Sequence, residues 1–250
     1  VIEETVHIRT ADGTAEGILF RDDGGRRLPG VVQLTDIAGI RPSQRDMARR
    51  LAETGYAVLM PNVFYRTGDP PFFSFPLNMA DEATRKRFSD LAAPLTPPAI
   101  ERDGSAYVDF MTAHDAVLPG PLGIVGYCYS GAVALRIAAA RGDTIAAVAS
   151  FHGGGLCTDA PTSPHLVLPR LAPGWTRLYF AHAVQDRSMP AEAIETLDRA
   201  LAAWGGTYES EVYDGAFHSW TTTDSPVYNK AAADRAFEKL TDQLSKALRT

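Results

Sequence analysis

Apolar residues along this chain alternate between two rhythms. Short apolar runs closed by glycine, proline or polar loops read as strands, and between them apolar positions recur at the three-to-four residue spacing of helices. The first run, Thr5-Val6-His7-Ile8-Arg9, alternates and meets the turn signal Asp12-Gly13. A second, Ala15 to Phe20, follows, so the pair reads as an antiparallel hairpin at a sheet edge. Gly30 to Leu34 is apolar throughout and suited to burial on both faces. Ser43 is a candidate helix cap, and Met47, Ala48, Leu51 and Ala52 give the helix an inner face that ends at Gly55. Tyr56 to Met60 then completes a strand–helix–strand unit.

From Pro61 to Pro98 seven prolines interrupt the pattern, leaving one helix expected over Asp81 to Leu91. Phe72, Phe73 and Phe75 make this stretch too apolar for a free linker. An excursion covering the top of the sheet is expected, with the three rings as pocket wall or as its own packing. A helix is expected from about Asp103 to Val117, then strands over Leu122–Val125, Ile145–Phe151, Thr176–Ala181 and Tyr208–Tyr213. Helices are expected over Ser130–Ala140, Pro190–Trp204 and Asn229–Leu248, the last with Phe237, Leu240, Leu244 and Leu248 on one stripe. Strands alternating with helices predict one α/β domain over residues 1–250, a doubly wound, mostly parallel sheet with helices on both faces.

Composition narrows the function classes. The hydrophobic fraction of 45% and charged fraction of 22% are ordinary for a globular chain of 250 residues. A net charge of -6 and the lack of a long Lys/Arg run argue against nucleic acid as a partner. No run approaches the ~20 apolar residues of a membrane span. Val1-Ile2-Glu3-Glu4 has neither the basic nor the apolar region of a signal peptide, so a cytoplasmic location is expected. The two cysteines, Cys128 and Cys157, form neither a redox pair motif nor a zinc ligand set. Gly153-Gly154-Gly155 has no following Lys-Ser/Thr and is no phosphate loop. No metal or organic cofactor is expected.

The chemistry gathers after strands. Gly126-Tyr127-Cys128-Tyr129-Ser130-Gly131 lies between a strand and an alanine-rich helix, the layout of a nucleophile elbow with cysteine at its tip. A thiol reacts as its thiolate, which a helix N-terminus and a neighbouring imidazole favour. His218 is the candidate imidazole, and Asp186 the carboxylate that fixes its tautomer. The chain order nucleophile, acid, histidine is that of α/β-hydrolases. Backbone N–H groups of Tyr129 and Ile37 are candidates for the oxyanion hole. Asp36, Cys128, Asp186 and His218 all follow strands, where an open α/β sheet collects its ligand-binding loops. His152 is a candidate neighbour of the site. His182 reads as structural and Cys157 as an inert thiol.

Together, Gly126-Tyr127-Cys128, Gln185-Asp186, Ala216-Phe217-His218-Ser219 and Asp36-Ile37-Ala38-Gly39 resemble the dienelactone hydrolase family over nearly the whole chain. The resemblance implies an α/β-hydrolase fold and a Cys128–His218–Asp186 triad acting on a small-molecule ester or lactone without a cofactor. It also implies that the acid at position 36 pairs with the resting nucleophile, and that Arg66 binds a substrate carboxylate. Three departures stand out. Ser130 replaces a common glycine, Asp36 is one methylene shorter than the usual Glu, and Ser219-Trp220-Thr221-Thr222-Thr223 holds no second arginine. The last points to a less acidic or bulkier substrate. A thioesterase on the same triad is the runner-up, and a non-catalytic binding protein or a redox-sensing thiol are further alternatives. Oligomeric state is left open.

Overall fold

The computed structural model describes residues 1–74 and 77–248. Phe75 therefore lies outside the described residues. Eight strands form one sheet: β1 (Ile2–Thr10), β2 (Gly13–Arg21), β3 (Gly30–Leu34), β4 (Ala57–Pro61), β5 (Leu122–Tyr127), β6 (Ile145–Phe151), β7 (Arg177–Ala183) and β8 (Thr207–Tyr213). Their spatial order is β1-β2-β4-β3-β5-β6-β7-β8. The β1/β2 hairpin joins antiparallel through β2 against β4, and every later pairing is parallel.

Strands β3 to β6 are buried along their whole length, and each sends alternate residues into two separate cores. Val32, Leu34, Ile124 and Val148 pack under α3 (Pro97–Ala113), α4 (Tyr129–Ala140) and α5 (Ala191–Trp204). Their neighbours Val31, Val58, Val125 and Ala149 pack under α1 (Pro42–Glu53) and α6 (Lys230–Leu248) on the other side. Periodicity two on the strands and the apolar stripes of the helices meet here as a three-layer sandwich, the α/β-hydrolase architecture. Among the described residues no helix is long and apolar enough to cross a membrane.

Among the boundaries that differ from the sequence expectation, those of α3 and α1 have a clear local reason. Helix α3 starts at Pro97 instead of Asp103, because Thr96 caps it through Ala99 N (3.4 Å) and the two prolines occupy its first positions. Their missing N–H groups are no loss there. The helix ends at Ala113, where His114 turns extended and its Nδ1 accepts from Ala116 N (3.1 Å). Pro42 likewise opens α1, so Arg41 is its N-cap and Ser43 lies buried in the first turn. The proline-rich stretch after β6 contains a short 3-10 helix, Pro164–Arg170. Within the 61–98 stretch, α2 (Glu82–Ala92) occupies the expected place.

Candidate active site

The elbow is built from close approach. A side chain at Gly126 would place its Cβ 2.0 Å from the Ser130 carbonyl oxygen, and one at Gly131 would meet Ser150 Oγ at 2.1 Å. Only glycine lets the start of α4 press onto β5 and β6 this tightly. Between them Cys128 adopts φ 55°, ψ -126°, a conformation L-residues avoid. The strain projects its side chain from the turn, at the N-cap of α4.

His218, from the loop after β8, meets Cys128 there: its Nε2 lies 3.1 Å from Sγ. Its Nδ1 lies 2.6 Å from Asp186 Oδ2, on the loop after β7. The other Asp186 oxygen accepts from Ser188 N (2.8 Å) and Ser188 Oγ (2.6 Å), which fixes the carboxylate's orientation. Burial opposes charge on His218, but a negative Cys128 and the Asp186 hydrogen bond outweigh it and push the imidazole up to about 10. Burial likewise works against the Asp186 carboxylate, and the hydrogen bond from His218 and those from Ser188 hold it below its ordinary value. The arrangement favours a charged imidazole held between the Cys128 sulfur and an orienting carboxylate.

Tyr129 is the first residue of α4, so its N–H has no partner within the helix. In the loop after β3, Ala38 N donates to Asp36 Oδ1 (3.0 Å) and Gly39 N to Asp36 O (3.0 Å). Between them, Ile37 N–H makes no hydrogen bond among the described residues. One candidate oxyanion donor thus lies at the start of α4, next to Cys128, and the other in the loop after β3.

Asp36 and Arg66 are each held by protein partners other than those that the resemblance implied. Asp36 is buried, and its carboxylate accepts from Ala38 N, from Arg41 Nη1 (2.7 Å) and Nη2 (2.8 Å), and from Gln44 Nε2 (3.1 Å). Four hydrogen bonds thus engage its two oxygens. The shorter aspartate holds its own loop. Arg66 is committed to two carboxylates, Asp103 (2.6 and 3.0 Å) and Asp12 (3.1 and 2.6 Å), beside the β1/β2 turn. Its cationic face is neutralised, and its contacts lie with the hairpin and α3.

Sequence reading did not single out Arg41, Ser188 or Thr221. The signals were present but unspecific: a basic residue five positions after Asp36, and small hydroxyl residues beside Asp186 and His218. His152, considered as a neighbour, is fully buried at φ 41°, with Nε2 2.8 Å from Thr221 Oγ1 and its ring centroid 5.2 Å from that of His218. Burial, then the nearby His218 charge, hold it well below its ordinary value, so it is neutral. His182 stacks on Phe180 and reaches Ser210 Oγ (3.3 Å), with burial lowering it to about 4. Burial pushes the Cys157 thiol up to about 11. From the excursion, Phe72 packs against Gly39, where a Cβ would meet its ring at 2.5 Å, and Phe88 sits edge-on to Tyr129 at 5.7 Å. Among the described residues no cluster of His, Cys, Asp and Glu side chains is suited to a metal ion.

A mostly parallel eight-stranded sheet, helices on both faces, and Cys128, Asp186 and His218 brought together on loops after β5, β7 and β8 are the layout of an α/β-hydrolase. The dienelactone hydrolase family model matches residues 15–248, and the chain belongs to that family. A carboxymethylenebutenolidase of Rhodococcus opacus is 31% identical over 191 residues, covering 76% of this chain and 69% of the relative. The Pseudomonas putida carboxymethylenebutenolidase is 26% identical over 245 residues, 98% of this chain and 97% of its own. A crystal structure from Klebsiella pneumoniae superposes with a TM-score of 0.84 over 98% of each chain at 22% identity, a likeness of fold.

Proposed function

We propose that this chain hydrolyses a carboxylic ester or lactone through an acyl-thioester on Cys128, with His218 as acid and base and Asp186 as its orienting partner. The observation that carries the proposal is the continuous line from Cys128 Sγ to His218 Nε2 (3.1 Å) and from His218 Nδ1 to Asp186 (2.6 Å), at a strained elbow. A cysteine filling a tight turn for packing alone would need neither partner. Carboxymethylenebutenolidases among the relatives agree with ester or lactone chemistry.

In the first half-reaction the thiolate forms an S–C bond to the substrate carbonyl, and the π electrons move to oxygen. The Ile37 and Tyr129 amides donate to that oxyanion. Collapse breaks the C–O bond, and His218 Nε2 gives its proton to the departing alkoxide. In the second half-reaction His218 takes a proton from water, the hydroxide attacks the thioester, and the Cys128 thiolate leaves. Acid and alcohol are released, or a single hydroxy acid from a lactone. We read residues 61–98 as the wall of the acyl pocket, since Phe72 and Phe88 pack on the residues that bear the oxyanion donors or lie beside them. Arg66, already neutralised, gives the substrate no cationic anchor, which favours a small neutral ester or lactone.

The test is turnover of p-nitrophenyl acetate. Cys128→Ala is expected to abolish it in a folded protein, and retained turnover overturns the proposal.

A further inference from the structure

The guanidinium of Arg41 spans two loops of the site. Its Nη1 and Nη2 donate to the two Asp36 oxygens (2.7 and 2.8 Å), and Nη1 also reaches Gly39 O (3.3 Å). Its Nε and Nη2 donate to the two Asp224 oxygens (2.7 and 3.3 Å). All five N–H groups of an arginine fork are therefore used within the protein, and none is left for a substrate carboxylate. One end of this clasp is the loop that presents Ile37. The other is the segment after His218, where turns join Phe217 to Trp220, Ser219 to Thr222 and Thr222 to Ser225. Asp36 and Asp224 stand far apart in sequence, and Arg41 bridges them.

We infer that Arg41, with Asp36 and Asp224, is a positioning residue: it sets the oxyanion-hole loop at a fixed distance from the histidine loop. The inference goes beyond the proposed hydrolysis and rests on it, because an oxyanion hole matters only if an acyl carbonyl is attacked. The triad does not depend on the clasp, since Asp186 and Ser188 hold His218 from the β7 side. Loss of Arg41 therefore affects the step that builds an oxyanion and spares chemistry at the thiolate that builds none.

Two reactions of Cys128 separate these effects. Alkylation by iodoacetamide is a displacement at carbon with no oxyanion, whereas p-nitrophenyl acetate turnover requires one. For Arg41→Met, kcat is expected to fall about 10²-fold, the scale of a 1 Å misplacement of a catalytic group, with KM changed less than about threefold. The alkylation rate is expected to stay within about twofold of the parent. Asp224→Asn leaves the Arg41–Asp36 pair in place and weakens only the bridge, so a drop of about tenfold with the same split is expected. This half-exposed position carries the test if Arg41→Met does not fold. Unchanged kcat in both variants overturns the inference. So does an equal fall in alkylation, which would place the effect on the triad. A KM rise confined to carboxylate-bearing esters would make Arg41 a substrate anchor and also overturns it. If the parent alkylates but turns over no ester, the proposed function itself fails, a result distinct from these.

Discussion

Replacing Gly126 by alanine tests whether the elbow is held by backbone contact. The new Cβ would lie 2.0 Å from Ser130 O, 2.4 Å from Ser130 C and 2.8 Å from Gly131 N, all backbone atoms at the start of α4. No rotamer change relieves such an overlap, so the first turn of the helix must retreat by about 1 Å, a shift that typically lowers turnover about 10²-fold when it moves a catalytic group. Overpacking of a filled core destabilises by about 1–3 kcal/mol. For a chain of this size each kcal/mol lowers Tm by about 2–4 °C, so a fall of about 2–12 °C is expected. The assay pairs calorimetry with p-nitrophenyl acetate kinetics. Gly174→Ala serves as the control, because its Cβ would meet nothing within 4 Å. An exposed change of that kind stays within about 0.5 kcal/mol. Wild-type Tm and kcat in Gly126→Ala would refute the claim that close approach fixes the elbow.

Three other outcomes are expected. The His218 imidazole is raised from 6.5 to about 10, so its contribution to stability is complete below pH 6.5 and is lost as pH rises through about 10. Proton NMR should show it charged at pH 8 in the parent and returning toward its ordinary value in Cys128→Ala, where the thiolate charge is gone; an unchanged titration contradicts the ion pair. Asp186→Asn should leave alkylation measurable but lower ester kcat by about 10³–10⁴-fold through loss of the imidazole's orientation and tautomer. A fall below tenfold would remove Asp186 from the relay. Arg66→Ala leaves the Asp103 carboxylate, whose side chain is 4% exposed, with the Tyr65 hydroxyl but without its cation, so Tm should drop by the equivalent of about 3–5 kcal/mol while KM for esters with and without a carboxylate stays equal. A KM increase limited to the carboxylate ester would restore Arg66 as a substrate ligand.

Much of the frame was legible because burial is written in periodicity. Val31 and Val32, or Ile124 and Val125, point to opposite cores, and that alternation within unbroken apolar runs marks interior parallel strands. Glycine spacing around Cys128 announced a tight strand–helix turn, and Cys128, Asp186 and His218 fall on loops at one sheet edge because each follows a strand. Side-chain partners across loops were not legible in the same way. Arg41 reaches Asp224 across 183 positions, and no local pattern announces a contact of that range. Similarly, Arg66 looked free until the β1/β2 turn brought Asp12 beside it and α3 supplied Asp103. Prolines misled in one place: Pro97 and Pro98 read as interruptions, although after Thr96 they open α3.

Trapping the acyl-enzyme tests the central claim most directly. The protein is mixed with excess p-nitrophenyl acetate, quenched in acid within the first turnovers and digested, and the peptides are weighed. One acetyl group is expected on the peptide carrying Cys128, forming as fast as the p-nitrophenol burst and disappearing as substrate is exhausted. Ester turnover with no acetyl on that peptide, or with the acetyl on another residue, contradicts the account.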